Sequence, residues 1–226
     1  MRAIFETGFY IIYFALIMYI GIYLIIKDKE RKDLIFFGLA CALLGFGDAF
    51  HLVPRAIGLI TKTLDSPSDT LNMWLGLGKL ITSITMTFFY LLIYYFIHKK
   101  SHVKRNLMLD LVIYTLLIAR FILLILPQNR WLDNDGDLIW GIVRNIPFTI
   151  LGIIVIVLAN IYLKHIKYYK LMWVAIILSF GFYIPVVILA SKYSWVGLLM
   201  LPKTICYLWI AFMGYLDTRS KKDLFE

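Results

Sequence analysis

Asp48, His51 and Arg55 stand three and four residues apart in the segment Gly45-Phe-Gly-Asp48-Ala-Phe-His51-Leu-Val-Pro54-Arg55. On a helix this spacing puts all three side chains on one face. A carboxylate beside an imidazole orients the ring and favours its protonated form, an arrangement suited to general acid/base work. Ser83, Thr82 and Thr85, in another apolar segment, would supply a hydroxyl. Asp48 and His51 are thus the candidate catalytic residues should the chain be an enzyme. The competing reading is an ion pair from Asp48 to an arginine or lysine that holds helices together, with His51 a bystander.

A second constellation is cationic. Arg55, Lys79, Arg120, Arg144 and Lys203 all interrupt apolar sequence, and only Asp48 and Glu6 stand at comparable places as acids. Surplus positive charge in a medium of low dielectric is unfavourable unless water or an anion compensates it. These five residues, with the polar Ser83, Asn145 and Tyr183, form the candidate ligand-binding set. The ligand they ask for is a small anionic or zwitterionic solute, or a lipid headgroup. Snorkelling of long basic side chains to a headgroup region is the alternative. It suits Arg55 and Arg144 better than the deeper Lys79 and Lys203.

The elements that must position these residues are seven apolar runs: 8–26, 34–59, 71–97, 107–126, 138–163, 171–190 and 195–216. Each comes near or passes the ~20 residues that a helix needs to cross a hydrocarbon core. Of the 226 residues, 62% are hydrophobic and only 16% charged, with a mean hydropathy of +0.82. A soluble domain could not cover that much apolar surface. The expected fold is an all-α, seven-helix transmembrane bundle forming a single domain over 1–226. The first run is too long for a signal-peptide core and lacks a small-residue cleavage pattern after it, so it reads as a retained helix.

The net charge of +9 is not spread as a nucleic-acid surface would be. Lys27, Lys29, Arg31 and Lys32 follow the first run, and Lys99, Lys100, Lys104 and Arg105 follow the third. Lys164, Lys167 and Lys170 follow the fifth; Arg219, Lys221 and Lys222 follow the seventh. The intervening connections hold little more than Lys62, Arg130 and Lys192. The positive-inside rule then predicts an outer N-terminus and a cytoplasmic C-terminus. Lys79 and Lys203 each lie roughly eight residues, or ~12 Å at ~1.5 Å per residue, from the outer end of their runs. Asp48, His51, Arg55, Arg120 and Arg144 fall in the same outer half. Asp110 lies near the other end, one turn from Lys104 and Arg105, and is expected to pair there.

Other features are weaker. Ile22-Tyr23-Leu24 and Ile161-Tyr162-Leu163 precede basic loops, and Lys79 and Lys203 sit at matching depths, which hints at a parallel 3+1+3 repeat. Pro147, Pro185 and Pro202 can interrupt helices at the depth of the cations. Cys41 and Cys206 read as buried packing residues. His98, His102 and His165 fall in basic loops and are expected to be solvated. Asp133-Asn-Asp135-Gly-Asp137 lacks the glycine position and terminal glutamate of a calcium loop and reads as a polar turn. Trp74, Trp131, Trp140, Tyr193 and Trp195 are expected to form an aromatic belt. No metal site and no cofactor are expected.

The segment Gly45–Arg55, with Gly181-Phe-Tyr-Ile-Pro185 and Leu201-Pro-Lys203-Thr, resembles uncharacterised seven-helix membrane proteins of Gram-positive bacteria. That resemblance implies only the topology, and no activity; the expected location is a plasma membrane, bacterial in origin. Asp48-Ala-Phe-His51 is faintly similar to a helix motif of alkaline-ceramidase-type membrane hydrolases. Those require a further His-x-x-x-His for zinc, which this chain lacks. Lys203 and Tyr183-Ile-Pro185 bear a superficial similarity to microbial rhodopsins, but Leu199 and Met200 stand where an acid would precede the lysine. The seven-run pattern also resembles sugar-transporting and PQ-loop proteins, without their Pro-Gln signature in the first and fifth runs.

Three function classes follow. The leading one is a small transporter or carrier for an anionic or zwitterionic solute. The alternative is a metal-independent, lipid-modifying enzyme using Asp48 and His51. A receptor or sensor is third, because the loops and tail offer little output surface.

Overall fold

The computed structural model describes residues 2–27, 29–64, 66–134, 137–189 and 193–219. Asp135, Lys192, Lys221 and Lys222, named above, lie outside that set. Among the described residues the regular structure is entirely helical. The elements are α1 (Arg2–Lys27), α2 (Lys32–Ile60), α3 (Asp69–Ser101), α4 (Leu107–Ile125), α5 (Leu138–Val143), α6 (Ile146–Leu163), α7 (Met172–Leu189) and α8 (Met200–Arg219). Short 3-10 turns cover Pro127–Asn129 and Ser194–Leu199. With α5 and α6 counted as one broken span, and the 3-10 turn counted with α8, 7 helices are long and apolar enough to cross a membrane. This is the architecture of a multi-pass membrane protein. Exposed Ile4, Leu107, Met108 and Ile125 are the apolar outer surface that such a bundle offers to lipid.

Local chemistry sets the helix boundaries. The Ser68, Asn106 and Asp137 side chains each accept a backbone N–H at the start of α3, α4 and α5, satisfying donors that a helix leaves open. His102 closes α3 in the left-handed conformation.

Four expectations need correction. The first span starts earlier than residue 8, so Glu6 lies inside α1 and is buried. The fifth run is not one continuous helix: it breaks at Arg144–Asn145, and Pro147 stands in the first turn of α6. A proline there restarts a helix without losing a needed donor. The seventh run opens as a 3-10 turn before α8 begins, two residues ahead of Pro202. His98 is not solvated: it is buried in the last turns of α3, where its Nδ1 bonds the Val103 carbonyl at 3.2 Å and its ring meets Tyr94 edge-on at 4.7 Å.

In the bundle α2 packs along both α1 and α3, α6 meets α3, α4 and α7, and α8 closes against α7 and α1. The α2–α3 seam is close because it lacks side chains where the backbones meet. A Cβ on Gly47 would overlap the Thr85 side chain, and one on Gly78 would overlap the Phe50 carbonyl. The core is strongly aromatic, with Phe37, Phe89, Tyr90, Tyr94, Phe96 and Tyr169 fully buried.

The end that carries the basic loops is tied by ions. Arg31 bonds Asp33 at 2.5 Å and Asp217 at 2.7 Å, and Lys100 bonds Asp217 at 2.6 Å. Tyr169 donates to the same Asp217 at 3.3 Å. Burial disfavours the Arg31 charge, but its bonds to Asp33 and Asp217 outweigh that and raise its pKa above the ordinary value. Asp110, as expected, pairs with Arg105 (3.8 Å) and also accepts from Tyr94 (2.5 Å).

Candidate functional site

At the opposite end the helices part around a cavity of about 460 Å³, within the size range of small-molecule sites. It runs from the α4–α5 connection down to Met86 and Phe148. Beneath it Tyr90, Phe148 and Phe180 pack with ring centroids 5.3–5.6 Å apart. That apolar floor separates the cavity from the ion-paired end.

All five predicted cations line this cavity, together with His51, Ser83, Asn145 and Tyr183. They arrive from α2, α3, α4, the α5–α6 break, α7 and α8. The break does two things here. It presents the Arg144 carbonyl to Arg120, which donates to it and to Asn145 Oδ1 at 3.0 Å. It also places the Asn145 amide so that Asn145 Oδ1 accepts from Tyr183 at 2.9 Å.

The partners of the cations are mostly neutral. Lys79 donates to Asn134 Oδ1 at 2.6 Å, and Arg144 to Asn129 Oδ1 at 2.8 Å. Arg144 also lies 4.3 Å over the Trp131 ring and Arg120 5.1 Å over Phe148. The Lys203 ammonium rests 4.9 Å from the Tyr183 ring centre and 5.4 Å from that of Tyr207. Ring faces attract a desolvated cation. They do not cancel its charge. No carboxylate of a described residue lies within ion-pair distance of Lys79, Arg120, Arg144 or Lys203.

Arg55 is the exception. Its guanidinium pairs with Glu6 at 3.2 Å and bonds Tyr10 at 3.0 Å, so it neither snorkels nor contributes net charge. Arg144 does not snorkel either, since it is turned inward onto Trp131. Trp131 is correspondingly anchored to the Leu124 carbonyl through Nε1 (2.8 Å), whereas Trp74 and Trp195 are exposed as belt residues would be.

Asp48 and His51 share the α2 face, yet they do not form a dyad. The Asp48 carboxyl accepts from Tyr13 at 2.6 Å and lies behind the cavity wall, with Lys203 the cation whose charge acts on it. His51 Nδ1 is buried without a hydrogen-bond partner. The hydroxyls near it are already engaged: Ser83 bonds the Lys79 carbonyl, Thr82 the Gly47 carbonyl, and Thr85 the Ile81 carbonyl. Arg120 Nε is a second buried polar atom without a partner. Both orphans belong to residues of this one cavity.

Sequence reasoning named Ser83, Asn145 and Tyr183 but missed two other neutral members, Asn129 and Asn134. Asn129 donates to the Leu123, Leu124 and Leu126 carbonyls and so caps α4 while its other end holds Arg144. Asn134, in the loop read as a polar turn, reaches Lys79. The signal available was an amide-rich connection facing a cation-rich bundle end. Among the described residues no group of three or more His, Cys, Asp or Glu is placed to hold a metal ion. Comparison of the chain with known protein families, with curated proteins and with solved structures gave no match in any of the three.

Proposed function

We propose that this protein is a carrier that binds a small anionic or zwitterionic solute in the cation-lined cavity and moves it across a membrane. One observation carries the reading. Lys79, Arg120, Arg144 and Lys203 converge on a single cavity with amides and rings as partners, and for Arg120 and Lys203 burial would ordinarily demand a counter-charge. Two unpartnered buried nitrogens of cavity residues, His51 Nδ1 and Arg120 Nε, support it, since a ligand can satisfy them.

By the positive-inside rule the basic loops are cytoplasmic and the cavity faces outward. A bacterial plasma membrane is the location this reading takes, consistent with the resemblance to Gram-positive seven-helix proteins. A repeat relating α1–α3 to the last three spans would set Lys79 and Lys203 on opposite walls of one site.

The test is solute movement in proteoliposomes, read as current or counterflow across a panel of carboxylate and phosphate solutes. Movement that Lys79→Met and Lys203→Met abolish is expected. The second reading, a lipid-modifying enzyme, rests on the unpartnered imidazole of His51. Were a lipid's mass to change in micelles, and His51→Ala to stop that change without solute movement, the carrier reading would be replaced.

A further inference from the structure

The charge balance of the cavity narrows its ligand. Arg55 is neutralised by Glu6. Lys79, Arg120, Arg144 and Lys203 remain, and the acids of the described residues that can offset them are Asp48, behind the wall, and Asp137, at the rim. Asp137 is partly occupied by capping Ile139. Even with both ionised, at least two positive charges stay uncompensated.

These charges fall into two clusters. One stands with His51: Lys79 follows Gly78, whose backbone packs against His51, and Lys203 lies over the Tyr183 ring. The other is Arg120 with Arg144, held by Asn145 and Asn129. Tyr183 stands between them, its ring face toward Lys203 and its hydroxyl on Asn145. A singly charged ligand could satisfy one cluster and would leave the other as it was.

Resting on the carrier reading, we infer that the ligand is a small dianion, a dicarboxylate or a phosphate monoester, whose two negative charges compensate both clusters at once. His51 Nδ1 and Arg120 Nε, one in each cluster, then gain partners from the same molecule. Joining two anionic groups in one ligand makes the second contact intramolecular, which raises affinity by ~100-fold or more over separate groups.

Melting temperature of the purified chain in detergent micelles tests this, titrated at constant ionic strength with succinate, glycerol phosphate, acetate and glycerol. A saturable rise with succinate or glycerol phosphate, at about 100-fold lower concentration than acetate requires, is the expected result. Lys79→Met should shrink that preference about tenfold, because it removes one charge and one solvent-facing side chain. Arg144→Met is the parallel variant in the second cluster. Acetate matching the dianions would overturn the dianion inference and leave the anion reading standing. A response to glycerol alone, or to none of the four, would overturn both. Stabilisation by a short-chain phosphatidate, with none by the soluble dianions, would keep the dianion and replace the solute by a lipid headgroup.

Discussion

The two ends of the bundle use the same basic side chains in opposite ways. At the loop-rich basic end, Arg31 and Lys100 are matched by Asp33 and Asp217 at 2.5–3.6 Å. These contacts tie together the α1–α2 connection, the start of α2 and the ends of α3 and α8. At the other end Lys79, Arg120, Arg144 and Lys203 meet amide oxygens, one backbone carbonyl and aromatic faces. A cation matched to a carboxylate is spent on structure. A cation held by neutral groups keeps its charge available, at a cost that binding can later recover. The contrast separates a scaffold from a site more clearly than burial does, since each end holds charges that are at least partly buried.

Removing a carboxylate from the matched end should do the most damage. Asp217→Ala leaves Arg31 and Lys100 to share Asp33 and takes the acceptor from Tyr169, and should lower unfolding free energy by about 3 kcal/mol, as for other ion pairs shielded from solvent and deprived of one member. Unfolding in mixed micelles measures this, and the cavity's response to anions should be unchanged in the variant. A loss of anion response together with stability would show that the two ends are not separable.

The lysines should behave inversely. Lys79→Met and Lys203→Met should melt at or above the temperature of the unaltered chain, because neither lysine is within ion-pair distance of a carboxylate and Asp48 keeps its bond from Tyr13. Both should weaken the stabilisation by an anionic ligand, which in the unaltered chain mass action sets near 2.7 kcal/mol at a ligand concentration about 100 times Kd. A lysine whose replacement prevents folding would belong with the structural pairs instead.

Tyr13→Phe tests the carboxyl behind the cavity wall. It deletes the 2.6 Å bond to Asp48, and bonds to charged groups contribute about 1.5–3 kcal/mol. The expected loss is about 2 kcal/mol. A stability unchanged within error would mean that Lys203 alone suffices for Asp48.

The smallest effect is expected at the seam. Gly47→Ala pushes a methyl into Thr85, at an overpacking cost of about 1–2 kcal/mol. Thr85→Ala in the same chain should restore most of it, and that rescue would show that the α2–α3 seam, not the cavity, was disturbed.

Much of the helix layout was legible in composition, because ~20 apolar residues in a row have few fates other than a membrane span. The convergence of the cations on one end was also legible, since position along a span converts directly into depth. Their partners were not. Glu6 and Arg55 are 49 residues apart, and Tyr13 and Asp48 35 apart, on helices whose rotation no local pattern specifies. Asp48 and His51 share a face by spacing, yet Tyr13 from α1 takes the carboxyl and leaves the imidazole to the cavity.

The sequence by itself determined seven apolar helices, the crowding of charge toward one end of them and the shortage of acids there. These follow from length, hydropathy and spacing, which are properties of single segments. Tertiary structure decided which cations are matched, that the fifth span breaks at Arg144–Asn145, and that four unmatched cations and two unpartnered nitrogens belong to residues of one cavity. Those outcomes depend on how helices rotate and pack against one another, and apolar faces that look alike in sequence are told apart only by that packing.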